Sequence, residues 1–125
     1  MKILVTGDRE WSDTRRIVEV LVEYHSSDNP PTLIHGACCG ADTLAKMVGK
    51  ALGWNVIPFP ADWDKYNLAA GPIRNQVMVD QKPDIVIAFH NNLAKSRGTK
   101  DCVSKAIKAG IEIVYVKSKD DYETN

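Results

Sequence analysis

Short apolar runs alternate along the chain with longer stretches whose apolar residues recur at helical spacing. Ile3-Leu4-Val5, ending at Gly7, predicts a strand over residues 2–6. Ile17, Val18, Leu21 and Val22 share one face and predict a helix over 12–25, with Ser12 or Asp13 as its N-cap. The polar, proline-bearing stretch 26–31 is a loop. Thr32-Leu33-Ile34-His35 reads as a second strand. Leu44, Ala45, Val48 and Leu52 form the next helical stripe, ended by Gly53. Residues 54–59 give a third strand stopped by Pro58 and Pro60, and 62–66 a loop. A helix follows over 69–81, with Pro72 in its first turn, where a missing N–H costs little. Ile85-Val86-Ile87-Ala88-Phe89 shows no polar alternation, as expected of a strand covered on both faces. A polar loop over 90–98, a helix over 99–109 ending at Gly110 and a strand over 113–116 complete the pattern.

Strand and helix in strict alternation, with short connections, predict a parallel sheet covered by helices on both faces. Right-handed crossovers then restrict the topology to a Rossmann-like, doubly wound, five-stranded α/β fold of order 3-2-1-4-5. The ligand crevice of such a sheet opens at the carboxyl ends of the strands where the order reverses, here between the first and fourth strands. The 125 residues suit one domain, assigned to 1–118, with a polar tail at 119–125.

Composition narrows the classes of function. Sixteen basic residues balance sixteen acidic ones, which argues against direct nucleic-acid binding. The opening apolar run is too short for a signal peptide, and no stretch approaches the ~20 apolar residues of a membrane span. Cys38, Cys39 and Cys102 are odd in number and irregular in spacing, so they read as reduced thiols of a cytoplasmic protein. His35, Cys38 and Cys39 lack the second ligand pair of a metal site, and no metal or other cofactor is expected.

Chemistry gathers where the strands end. Thr6-Gly7-Asp8-Arg9 follows the first strand, Gly36-Ala37-Cys38-Cys39-Gly40-Ala41-Asp42 the second, Ala61-Asp62-Trp63 the third and Ser96-Arg97-Gly98-Thr99 the fourth. Gly36 and Gly40 flank a turn that opens a helix, and Gly98-Thr99 opens another. Glycine admits close backbone approach, and the N–H groups of a helix's first turn attract anions, phosphate above all. Each glycine alone equally serves a turn; two such starts on one rim point to a ligand. The pattern is neither a dinucleotide fingerprint nor a P-loop. Arg9, and Arg74 within Ala70-Gly71-Pro72-Ile73-Arg74-Asn75, are candidate phosphate clamps, with Arg97 a third. Asp42 either complements its helix dipole or accepts from ribose hydroxyls. Asp101 and Asp62 are candidate catalytic carboxylates, for charge stabilisation at a sugar carbon or water activation. Trp63 and Trp11 either stack on a base or cap the core. His35 and His90 read as structural.

In their order and spacing these segments resemble the YspA-like, YpsA-related branch of the SLOG superfamily, from residue 3 to about 116. The segments are Val5-Thr6-Gly7-Asp8-Arg9, His35-Gly36-Ala37 with Gly40-Ala41-Asp42, Pro60-Ala61-Asp62-Trp63, Ala70-Gly71-Pro72-Ile73-Arg74-Asn75 and Arg97-Gly98-Thr99. The resemblance implies a Rossmann-like fold, found in bacteria and their phages, that binds a nucleotide or nucleotide-derived small molecule. Its distant relatives include the Lonely-Guy phosphoribohydrolases, which cleave the N-glycosidic bond of nucleoside monophosphates. It implies ligand contacts from Thr6, Gly7, Arg9, Gly36, Ala37, Gly40, Ala41, Asp42, Trp63, Gly71, Arg74, Asn75, Gly98 and Thr99. Those hydrolases carry Gly-Gly-x-Gly-Thr-x-x-Glu. Here Gly98-Thr99 matches, Ser96-Arg97 stands in place of leading glycines, and Cys102 holds the glutamate's place with Asp101 one residue early. Two readings follow: hydrolysis of a nucleotide, or sensing and sequestering one without turnover. A homodimer is compatible with the resemblance, though no apolar helix face in the sequence demands one.

Overall fold

Five strands, β1 (Lys2–Gly7), β2 (Thr32–His35), β3 (Asn55–Pro58), β4 (Ile85–Phe89) and β5 (Glu112–Val116), pair in parallel in the order β3-β2-β1-β4-β5. The order matches the sequence expectation. This computed structural model describes residues 1–119, so the tail assigned to 119–125 lies outside the described residues apart from Lys119. Five helices connect and cover the sheet: α1 (Thr14–Val22), α2 (Ala41–Ala51), α3 (Trp63–Tyr66), α4 (Ala70–Asp80) and α5 (Gly98–Lys108). Among the described residues no helix is long and apolar enough to cross a membrane.

All strands but the edge strand β3 divide their side chains between two cores, because successive residues point to opposite faces. Ile3, Val5, Leu33, Ile87 and Phe89 meet Ile17 and Leu21 of α1 and Ala45 of α2 on one face. Leu4, Ile34 and Val86 meet Met78 and Val79 of α4 and Cys102 and Ala106 of α5 on the other. Phe89 is fully buried, and Trp11 packs edge-on against it with ring centroids 5.5 Å apart. Trp11, only 6% exposed, therefore belongs to the core and offers no face to a base.

Local hydrogen bonds set the element ends. Asp13 accepts the Arg16 N–H at 3.1 Å, so α1 begins at Thr14 rather than at 12. It stops at Val22 because Tyr24 and His25 donate to carbonyls three residues back, tightening the last turn. Asp13 also accepts from Ser118 Oγ at 2.9 Å, and Lys119 pairs with Glu19 at 2.8 Å, which fastens the end of the described chain to α1. Segment 62–66 is helical rather than a loop, since Asp62 accepts the Lys65 N–H at 3.1 Å and caps α3. A 3-10 turn at Asn67–Ala69 joins α3 to α4, and another at Leu93–Lys95 lies within loop 90–98. Gly53 and Gly110 take left-handed φ of 79° and 76° just past α2 and α5, where a Cβ would be strained.

Candidate functional site

A cleft of about 900 Å³ opens over the carboxyl ends of the strands, where β1 and β4 lie side by side. All four sequence clusters reach it. Thr6, Gly7, Arg9, Gly36, Ala37, Asp42 and Trp63 line it, as do Gly71, Arg74, Asn75, Gly98, Thr99 and Asp101. Gly40, Ala41 and Asp62 do not. Ala41 is fully buried and donates its N–H to Asp8 O at 3.1 Å. A Cβ on Gly40 would collide with the carbonyl oxygens of Asp8 and Arg9, at a φ of 71°. That glycine lets the start of α2 press against the end of β1. Asp62 is occupied as the cap of α3.

The turn at the end of β2 departs most from its sequence reading. Gly36 and Cys38 donate their N–H groups to Asp42 Oδ2 at 3.0 and 3.3 Å, and Ala37 donates to His35 Nδ1 at 3.0 Å. Three consecutive N–H groups of the turn ahead of α2 are thus taken up by protein acceptors. Burial pushes the Asp42 carboxyl up to about 6, against the opposing pull of the Cys38 N–H, Arg74 and the Gly36 N–H. Burial drives His35 down to about 4, with Lys46, Lys50 and Arg74 adding to the fall. His35 Nε2 is buried without a hydrogen-bond partner, so the ring is stable only when neutral.

Arg74 is fixed by protein as well. Its guanidinium donates to the carbonyls of Gly36 and Phe59 and, through Nε, to Asn75 Oδ1 at 2.9 Å. A Cβ on Gly36 would sit 2.5 Å from Arg74 Nη1, so the arginine packs where only glycine leaves room. Asn75 passes the restraint on, donating to Gly98 O at 3.2 Å and to Asp101 Oδ2 at 3.0 Å. Asp101 also pairs with Lys105 at 2.6 Å. Ser96 Oγ accepts the N–H groups of Thr99 and Lys100 at 3.0 and 3.4 Å, which fills much of the first turn of α5. Thr6 hydrogen-bonds the Cys102 sulfur, and burial raises that thiol to about 11. Position 102 faces the core, away from the cleft.

What remains for a ligand is a set of side chains. Arg9 is exposed, and a hydrogen bond to Cys38, with the nearby Cys39 and Glu10, holds its pKa above the usual arginine value. Arg97 also lines the cleft and is exposed, and neither arginine forms an ion pair among the described residues. Trp63 is 49% exposed, its ring resting over Gly71, and Leu68 beside it is 90% exposed. Asp8 and His90, from the ends of β1 and β4, face each other within the cleft. Sequence reasoning passed over this pair because nothing in a linear pattern tells a strand-end histidine in a cleft from one in the core. Among the described residues no group of three or more His, Cys, Asp or Glu side chains is placed to hold a metal ion.

Comparison with known proteins fits this geometry. The model of the YspA, cpYpsA-related SLOG family matches residues 1–66, a stretch that runs from β1 through the β2 turn to the end of α3. A relative, the Gene 61 protein of Mycobacterium phage D29, is 35% identical over 119 residues, covering 90% of this chain and 94% of that protein. The chain belongs to the YspA, cpYpsA-related SLOG family. Among solved structures, the DNA processing protein A of Streptococcus pneumoniae superposes with a TM-score of 0.72 at 17% identity. The match covers 91% of this chain and 49% of that one, so this SLOG chain spans about half its length, and the likeness establishes the fold.

Proposed function

We propose that this SLOG protein binds a nucleotide or nucleotide-derived small molecule in the cleft, in the cytoplasm, and senses or sequesters it without turnover. One observation carries the reading: the cleft's acidic side chains hold protein donors, while two of its arginines have no ion-pair partner among the described residues. Asp42 holds two backbone N–H groups, Asp101 holds Lys105 and Asn75, and Asp8 holds the Glu10 N–H at 2.9 Å. Arg9 and Arg97 are left as unneutralised charge beside an exposed tryptophan. A phosphate between the arginines and an aromatic base on Trp63 complete both halves. Arg74, on this reading, shapes the floor through the Gly36 carbonyl and reaches the ligand as a second contact.

The same facts favour binding over hydrolysis of the N-glycosidic bond. A carboxylate paired with an ammonium and an amide is a poor partner for developing positive charge. Asp101 is such a carboxylate, Asp62 is outside the cleft, and the place of the hydrolases' glutamate is a buried thiol.

Thermal melting with a panel of nucleoside mono- and diphosphates, their parent nucleosides and a short single-stranded oligonucleotide tests the reading. A ligand at a hundredfold excess over Kd stabilises by about 2.7 kcal/mol. The expected result is stabilisation by some phosphorylated form, none by its nucleoside, and no free base after prolonged incubation. Stabilisation by the oligonucleotide alone would overturn it.

A further inference from the structure

We infer that Asp8 and His90 form a receptor for one ligand hydroxyl, so that the cleft selects a ribonucleotide over its deoxy counterpart. The inference rests on the nucleotide reading above and assigns the sugar subsite within it. Asp8 follows β1 and His90 follows β4, the adjacent strands at which the sheet order reverses, and both line the cleft. Each is preset by a backbone donor. The Glu10 N–H donates to Asp8 Oδ1 at 2.9 Å, and the Asn92 N–H donates to His90 Nδ1 at 2.9 Å. With Nδ1 acting as acceptor, the proton of the neutral ring sits on Nε2. Nε2 then faces Asp8 Oδ2 across 3.9 Å.

That gap is longer than a hydrogen bond, which spans about 2.7–3.2 Å. Donor and acceptor are therefore too far apart to bond directly, yet close enough for a single atom beside the line joining them to reach both. An oxygen about 2.8 Å from both closes the gap with an angle near 90° at the oxygen. It must accept from Nε2–H and donate to a carboxylate. A hydroxyl does both. An ionised phosphate oxygen, an ether or a carbonyl has no proton to give, and an ammonium has no lone pair to offer. The side chains of His90 and Asp8 are 14% and 32% exposed, open enough to be reached and buried enough for the bond to count. Asp42, the ribose candidate of the sequence, already binds two N–H groups through Oδ2 and is 7% exposed.

Isothermal titration with adenosine, guanosine, cytidine and uridine 5′-monophosphates, each beside its 2′-deoxy and 3′-deoxy analogues, tests this assignment. The ribonucleotide is expected to bind roughly ten- to hundredfold tighter than at least one deoxy form, the range for a hydrogen bond to a charged group. Two variants remove one side of the bridge each. Asp8→Asn keeps an acceptor for the Glu10 N–H, and His90→Asn keeps one near Nδ1 while deleting the Nε2 donor. In each, provided its melting curve is cooperative, the ribo-to-deoxy ratio should fall to within threefold. Equal affinities in the wild type, or a ratio preserved in both variants, overturn the hydroxyl receptor and leave the nucleotide reading standing. Failure of every nucleotide to bind removes the nucleotide reading itself and this inference with it.

Discussion

Replacing Asp42 by asparagine should change how stability depends on pH, in a direction the structure fixes. The amide oxygen of the new side chain can still accept the Gly36 and Cys38 N–H groups, so the turn keeps its acceptor while the ionisation, and with it the attraction to Arg74, is lost. In the wild type the Asp42 carboxyl titrates near 6 in the fold, against an ordinary value of 3.8. Below the lower value both states are protonated and the group contributes nothing. Between the two, the folded state binds more protons than the unfolded one, so stability falls as pH rises. Above the upper value the full cost remains: about two units at 1.36 kcal/mol each, or about 3 kcal/mol. His35 runs the other way. Its folded value of about 4, against 6.5, means that stability is lost as pH falls through that interval, again by about 3 kcal/mol. The two slopes largely offset each other in the wild type. In Asp42→Asn only the His35 slope survives. Urea denaturation from pH 4 to 7 should show the variant losing about 3 kcal/mol on acidification, a midpoint shift of roughly 1–3 M for m-values of 1–3 kcal/mol/M. It should also be the more stable protein at pH 7. Parallel stability curves for the two proteins would refute the buried-carboxylate reasoning.

Two further substitutions and a labelling experiment probe other parts of the site. Gly36→Ala puts a methyl group where Arg74 lies, breaking charge-assisted bonds to the Gly36 and Phe59 carbonyls; a loss of about 1.5–3 kcal/mol is expected by denaturant titration. Arg97→Gln removes an exposed cation with no ion pair among the described residues, so nucleotide affinity should drop at least about tenfold while the melting temperature of the free protein stays within about 2 °C of the wild type. With a thiol reagent at pH 8, two cysteines should label in the native protein and the third, Cys102, only on unfolding, because it is fully buried and its thiol is held near 11.

The fold was legible in the sequence because its signals are local and redundant. Ile85 to Phe89 could only be a strand covered on both faces, and alternation with amphipathic helices left one topology. Element ends were less legible, since they turn on single capping bonds such as Asp62 to Lys65 N–H, which converts an expected loop into α3. The site was legible as a place and less so as a mechanism. Residue type and spacing put Arg9, Arg74, Trp63 and Gly98 on one rim, and they share the cleft. Which groups are already engaged by protein is a three-dimensional fact. No spacing rule says that Asp42 and His35 take up the N–H groups of the β2 turn, that Ser96 fills the start of α5, or that Asp8 and His90 meet across two strands. Trp11 and Trp63 show the same limit: both follow strand ends, yet one closes the core and the other stands in solvent at the cleft.

Calorimetric titration of one stabilising nucleotide, at low and moderate salt, into the wild type and an Arg9→Gln, Arg97→Gln double variant reaches the heart of the matter. Binding that weakens with salt, is absent for the unphosphorylated nucleoside and drops at least about a hundredfold in the double variant is the expected result. Equal affinity for nucleoside and nucleotide, or a double variant that binds as the wild type does, would contradict a cleft whose unneutralised arginines await phosphate.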